Sequence, residues 1–260
     1  MILTKKNILI VGAAGFLGKF ISKACHDKGA NCILVDKNYS KLQKTYKKYS
    51  TRKSIFKCDI KSIDDIQNLK IFLKTKKIHG LVNAISDGDK VGKKNDKTFK
   101  TFLETNKEDL ENQLNLNVVS IVLLYKSLIP NLLKAKKSSV INIGSDLSVL
   151  SPYHKLYTNK KNNFLTKAIS YSVAKHGMIG VIKFLATYYA SQNIRFNSVS
   201  PGAINNNQNQ KFKNKINKLI PMGRMGNSKE LTGIITHLLS DESTYTTGTN
   251  ILIDGGRSIW

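Results

Sequence analysis

"NILIVGAAGFLG", residues 7–18, is the stretch on which the reading of the whole chain turns. An apolar run leads directly into glycines at positions 12, 15 and 18, and an amphipathic segment follows. A short run that is apolar nearly throughout suits a strand buried on both faces. Glycine then allows a tight strand-to-helix turn and close approach of a phosphate. The helix that follows offers free N–H groups and the positive end of its dipole, a natural seat for a pyrophosphate. The spacing is GxxGxxG rather than GxGxxG, and Gly-rich turns also arise for purely structural reasons. Its place between a first strand and an amphipathic helix points to a dinucleotide, with Gly12, Ala14, Gly15, Phe16, Leu17 and Gly18 as candidate contacts.

The next apolar run, NCILVD (31–36), ends in Asp36, eighteen residues after Gly18. A carboxylate there can accept hydrogen bonds from both adenosine ribose hydroxyls and would repel a 2′-phosphate, which favours NAD over NADP. Lys37 follows and could instead attract that phosphate, and Asp36 could equally serve as a helix N-cap.

Farther along, SIFKCD (54–59), HGLVNA (79–84), SSVINIGS (138–145), NIRFNSVS (193–200) and NILID (250–254) also read as strands. Helical spacing predicts helices over 16–28, 39–49, 62–75, 107–134, 171–191 and 228–240. Strand and helix in alternation predict an α/β fold: one domain over residues 1–260, with a doubly wound, mostly parallel seven-stranded sheet and helices on both faces. Three long connections break the rhythm, at 86–105, 146–169 and 203–220. All follow strand C-termini, where such sheets bind ligands, so 146–169 is expected at the rim of a site and 203–220 over a substrate.

Bulk properties narrow the partners. The 260 residues carry a formal charge of +25. The lysines are spread along the chain, arginines are few, and no basic arm, zinc finger or aromatic RNA-binding motif occurs, so no nucleic-acid partner is expected. Anionic ligands fit the field better. Three cysteines, Cys25, Cys32 and Cys58, lack metal-ligand spacing and imply no disulfide framework, so no metal site and a cytoplasmic location are expected. The apolar run near 118–125 is far too short to span a bilayer, and no membrane association is expected.

Two Tyr–Lys pairs have the four-residue spacing that one helical turn brings together: Tyr157 with Lys161, and Tyr171 with Lys175. The first lies in SPYHKLYTNKKNNF, poor helix material. The second opens YSVAKHGMIGVIKFLATYYA, with apolar residues at helical intervals, and is preferred.

Together these features resemble the short-chain dehydrogenase/reductase family over nearly the whole chain. Cys58-Asp59-Ile60 resembles its adenine-side aspartate, and Asn83-Ala84 the end of its fourth strand. Asn117 resembles its helix asparagine, Ser145 its serine, and Tyr171 with Lys175 its YxxxK pair. Ser200-Pro201-Gly202 resembles its nicotinamide loop, and Thr247-Gly248 with Asp254-Gly255-Gly256 its C-terminal signature. The intervals from Tyr171 also follow the family, although the interval from Ser145 to Tyr157 is close to it as well. Departures exist: Val11 stands where a threonine is usual, NNAG is replaced by NAIS, and Asn206 replaces a common threonine.

The resemblance implies a Rossmann fold binding NAD in preference to NADP. Asp36, Lys37, Asp59, Ile60, Asn83, Ala84, Tyr171, Lys175, Pro201, Gly202 and Ile204 are further cofactor contacts on this basis. It implies catalysis by Asn117, Ser145, Tyr171 and Lys175. Tyr171 would be general acid or base, its pKa lowered by Lys175; Ser145 would hold the substrate oxygen, and Asn117 a relay water. The helices 107–134 and 171–191 would build a homodimer or homotetramer. The insertion and the ending DGGRSIW resemble bacterial oxidoreductases encoded with surface-sugar and flagellin-glycosylation enzymes. An anionic sugar derivative is therefore the expected small-molecule substrate. A 3-oxoacyl-(acyl carrier protein) reductase and a non-catalytic dinucleotide sensor are the alternatives.

Overall fold

A computed structural model of the chain describes residues 1–49, 51–86, 99–157 and 166–260. Seven strands form its main sheet: β1 (Asn7–Val11), β2 (Asn31–Asp36), β3 (Lys53–Lys57), β4 (Gly80–Asn83), β6 (Ser138–Ile143), β8 (Ile194–Pro201) and β9 (Asn250–Ile253). Their order is β3-β2-β1-β4-β6-β8-β9, and every pairing is parallel. The register sets Val11 beside both Val35 and Asn83, so the loops after these strands open along one edge. Strand order reverses between β1 and β4, and the two sets of loops diverge there to leave a crevice.

Within β1, Ile8 and Ile10 belong to one apolar cluster while Leu9 and Val11 belong to another. The period of two therefore serves two buried faces at once. On one face pack α1 (Phe16–Asp27), α2 (Tyr39–Tyr46) and α8 (Thr232–Leu239), through Ile21, Leu42 and Leu238 among others. On the other pack α3 (Ile63–Phe72), α5 (Ser120–Leu133) and α6 (Ile169–Tyr189), through Leu69, Leu124 and Met178.

Three features differ from the sequence expectation. The helix expected over 107–134 is α4 (Lys107–Leu114) and α5 joined by a π-helical turn at Asn115–Val119, which contains Asn117. Such turns have no signature in apolar spacing and are frequent at functional sites. The stretch from Lys107 to Leu133 is apolar and long enough to cross a membrane, yet half of its most apolar window is buried inside this fold. The connection 203–220 holds a helix, α7 (Gln210–Asn217), whose Asn209 cap accepts from the Phe212 N–H at 2.8 Å. Finally, β5 (Phe99–Lys100) and β7 (Thr166–Lys167) form a small antiparallel sheet. It ties the first long connection to the second, and strands of two residues are too short to show periodicity.

Candidate active site

A cavity of about 440 Å³ runs along the crevice at the C-terminal edge of the sheet. Its first end is built from backbone. Gly12 has φ +80°, and a Cβ there would stand 2.9 Å from the Ala84 carbonyl carbon. A Cβ on Gly18 would lie 2.1 Å from the Gly12 carbonyl oxygen, so α1 packs directly under the turn. Gly15 caps α1 with no side chain over the helix start, and the first turn carries no acidic residue. The N-terminus of α1 is thus left available to an anion, with Gly12, Gly15, Phe16 and Leu17 on the cavity wall.

Asp36 faces the same end. Its Oδ2 accepts from the Ala14 N–H at 2.9 Å and its Oδ1 from the Asn38 N–H at 3.0 Å. The cap of α2 is Asn38, not Asp36, so the capping alternative does not account for this carboxylate. Lys37, Asp59, Ile60 and Ala84 complete this wall, and Pro201, Gly202, Ile204 and Asn206 lie across from them. Ala14, Gly18 and Asn83 are not among the residues that line the cavity. Asn83 is buried, donates from Nδ2 to Asn142 Oδ1 at 2.7 Å and accepts from the Ile85 N–H at 3.3 Å. It shapes the turn after β4. These backbone donors, the close Gly12–Ala84 approach and the Asp36 carboxylate fit a dinucleotide.

The other end is built from side chains. Ser145 follows β6 and caps a short 3₁₀ turn at Asp146–Ser148; its Oγ accepts from the Leu147 N–H at 3.2 Å and donates to Asp146 Oδ1 at 3.1 Å. Tyr171 stands in the first turn of α6 and lines the cavity, with Lys175 one turn later and fully buried. Lys175 Nζ is 3.5 Å from the Ile143 carbonyl and 5.6 Å from the centroid of the Tyr171 ring. Burial pushes the Tyr171 phenol up to about 12; the Ser145 hydrogen bond opposes this and the nearby Asp146 charge adds to it. Burial also lowers the Lys175 ammonium to about 8, helped by the positive Lys167 nearby. Burial is the dominant influence on this phenol, and the Lys175 Nζ sits over the face of its ring. Asn117, buried in the π-helical turn, donates from Nδ2 to Gln113 O and Oε1, both at 3.1 Å.

Tyr157 also reaches the cavity, from the residue that ends a 3₁₀ turn at His154–Leu156. Its companion Lys161, and Lys160, lie outside the described residues, as does most of 86–105. His154 Nδ1 meets Thr166 Oγ1 at 2.6 Å. Among the described residues no cluster of His, Cys, Asp or Glu could hold a metal ion, and the three cysteines are buried and unpaired.

Sequence reasoning missed three charged residues at this end. Asp146 and Arg257 form an ion pair of 2.6 Å, with side chains only 6% and 9% exposed. Lys167, also on the wall, places Nζ 4.5 Å from the Tyr171 ring centroid. Asp146 is adjacent to Ser145 and Arg257 lies in the already noted DGGRSIW, so their segments were visible though the pairing was not. Lys167 carries no signal among so many lysines.

Residues 12–258 match a family described as enoyl-(acyl carrier protein) reductase. A post-translational flagellin modification protein A of Campylobacter coli is 28% identical over 260 residues, covering 98% of each chain. A 3-oxoacyl-[acyl-carrier-protein] reductase of Buchnera aphidicola is 30% identical over 258 residues, covering 97% of each. Among solved structures, a short chain dehydrogenase from Leptospira borgpetersenii with bound NAD+ superposes with a TM-score of 0.82 at 27% identity, over 99% of this chain and 94% of that one.

Proposed function

The chain belongs to the short-chain dehydrogenase/reductase family, and from that premise we propose that it interconverts an alcohol and a ketone on a sugar or sugar-nucleotide precursor of surface glycans. It is an NAD(P)-dependent oxidoreductase, and Asp36 at the ribose end supports NAD as the preferred cofactor. The observation that carries the catalytic assignment is that Ser145 and Tyr171 line the same cavity as the Gly12 turn and Asp36. The flagellin-modification relative supports the sugar-type substrate.

When bound, the nicotinamide supplies the hydride chemistry, and the protein supplies orientation and protons. Gly12, Gly15, Phe16 and Leu17 would hold the pyrophosphate, Asp36 the adenosine ribose, and Pro201, Gly202 and Ile204 the nicotinamide side. In reduction, the Tyr171 O–H donates its proton to the carbonyl oxygen as charge develops there, while Ser145 fixes that oxygen. A phenol held above its ordinary pKa is fully protonated at neutral pH, which suits reduction. Oxidation needs the phenolate and should accelerate as pH rises. Lys175, with Nζ 5.6 Å from the Tyr171 ring centroid, would act on the phenol from its buried side, and Asn117 would anchor a relay water.

A second reading, 3-oxoacyl-(acyl carrier protein) reductase, is favoured by the Buchnera relative and by the description of the matching family. Nicotinamide absorbance, followed with nucleotide-activated sugars, phosphorylated sugars and 3-oxoacyl thioesters, separates the two. Turnover on a sugar supports the first reading, turnover on thioesters alone supports the second, and bound cofactor with turnover on neither counts against both.

The helices that resemble the family's pairing elements carry exposed Val119, Val122, Leu123, Phe184 and Tyr188, which supports a homodimer or homotetramer. Light scattering should exceed the 29.1 kDa chain mass; a monomer would contradict it.

A further inference from the structure

We propose that Asp146, anchored by Arg257, is a positioning residue that holds the Ser145 hydroxyl in place, which makes the C-terminal turn part of the catalytic machinery. This rests on the assignment of Ser145 and Tyr171 as the groups that meet the reacting oxygen.

A serine hydroxyl has one proton and two lone pairs, and it rotates easily, so its direction is open unless neighbours fix it. Here two neighbours do so. The Leu147 N–H donates to Ser145 Oγ at 3.2 Å, and that Oγ donates to Asp146 Oδ1 at 3.1 Å. The other oxygen of the same carboxylate, Oδ2, accepts from Arg257 Nη1 at 2.6 Å. One carboxylate therefore joins the serine to a guanidinium 111 residues farther along the chain.

Asp146 and Arg257 both line the cavity with their side chains buried. Apolar residues of similar volume would serve stability as well as such a pair, or better. They would not supply an acceptor for the serine's proton, nor hold that acceptor in one orientation. The chain is also shaped to deliver Arg257. Gly255 and Gly256 have φ of +67° and +88°, and a Cβ on Gly255 would stand 2.7 Å from Ile220 Cγ2. The Asp254 carboxylate accepts from the Gly256 N–H at 3.0 Å and from the Ser258 N–H at 2.8 Å. This braced bend sets the turn Arg257–Ile259 so that its first side chain meets Asp146. When a carbonyl oxygen enters, the Ser145 O–H turns to it from Asp146 about the Cβ–Oγ bond, and Oγ itself stays where it is held. Release of the product returns that hydrogen bond to Asp146.

The test replaces the two charges together, because either one alone would be left buried without its partner. Asp146→Leu/Arg257→Met removes the pair, and Asp146→Asn/Arg257→Met keeps an acceptor for the serine. Each is made with Ser145 and with Ser145→Ala. Thermal unfolding of the NAD-saturated protein comes first. Ser145→Ala should lower the midpoint in the wild type and lower it far less in Asp146→Leu/Arg257→Met. Equal losses would overturn the proposal without recourse to any substrate.

Turnover is then followed by nicotinamide absorbance on those nucleotide-activated sugars, phosphorylated sugars or 3-oxoacyl thioesters that the wild type accepts. Asp146→Leu/Arg257→Met should lower kcat about tenfold or more with NAD affinity changed far less, and Asp146→Asn/Arg257→Met should regain most of it. In the Ser145→Ala background the same replacements should change kcat by less than about twofold. Losses that multiply, or an Asn variant no better than the Leu variant, would overturn the positioning role alone. Wild-type turnover in Ser145→Ala would reject the assignment of Ser145 and the proposal with it. Coupled midpoints without turnover of any compound would keep the hold on Ser145 and reject the proposed reaction.

Discussion

The two ends of the cavity are held by different kinds of interaction. At the nucleotide end, one contiguous segment from β1 to the start of α2 supplies glycines, backbone N–H groups and a single carboxylate that two N–H groups fix. At the catalytic end, ionic side chains converge from β6, β7, α6 and the C-terminal turn, and one ion pair closes 111 residues of chain. The first end fails when an atom is added. The second fails when a charge is removed.

The largest expected effect is at the catalytic end. Arg257→Met leaves the Asp146 carboxylate buried without its cation, and breaking such a pair costs about 3–5 kcal/mol. Denaturant unfolding should show that loss, with much of it recovered when Asp146→Asn is added. A single variant as stable as wild type would show that this end does not depend on charge pairing.

A second effect comes from pH. The buried Lys175 titrates near 8 instead of its ordinary 10.5, so between those values the unfolded chain holds the extra proton. This group therefore adds stability without cofactor as pH rises from about 8 toward 10.5, by roughly 3 kcal/mol at most, against the opposite contribution of the buried Cys25, Cys32 and Cys58 thiols, which the unfolded chain ionises first. Lys175→Met should remove the Lys175 contribution and leave stability falling more steeply with pH; an unchanged slope would contradict a desolvated ammonium.

At the nucleotide end, Gly18→Ala places a methyl against the Gly12 carbonyl. Overpacking of this kind costs about 1–3 kcal/mol and should weaken NAD binding in a fluorescence titration. Gly233→Ala in α8, where an added Cβ meets nothing within 4 Å, should be neutral or slightly stabilising. Equal behaviour of the two variants would refute tight packing under the turn. Smaller still, Asp36→Ser should narrow the preference for NAD over NADP by about tenfold, since it removes the carboxylate that repels a 2′-phosphate. An unchanged ratio of affinities would move cofactor choice to Lys37.

The same contrast governs what could be read from the chain before its structure. The inner strands were legible because they are buried on both faces and so are apolar nearly throughout, as NILIV and NCILVD are. The glycine turn and Asp36 were legible because their neighbours in space are neighbours in sequence. The Asp146–Arg257 pair was not, because its partners sit at opposite ends of a long stretch with no periodic signal. Lys167 was hidden by composition, since a buried lysine and a solvated one are the same letter. Helix α7 was obscured by its many Asn and Lys residues, although Asn209 as cap and the spacing of Phe212 and Ile216 were available as signals.

Tyr157 and Tyr171 both reach the cavity, so exchanging each for phenylalanine tests the catalytic assignment most directly. Nicotinamide absorbance should show Tyr171→Phe reduced on the order of 10²–10⁴-fold in kcat, with NAD still bound and Tyr157→Phe close to wild type. Loss of turnover in Tyr157→Phe, with Tyr171→Phe retaining it, would contradict the account.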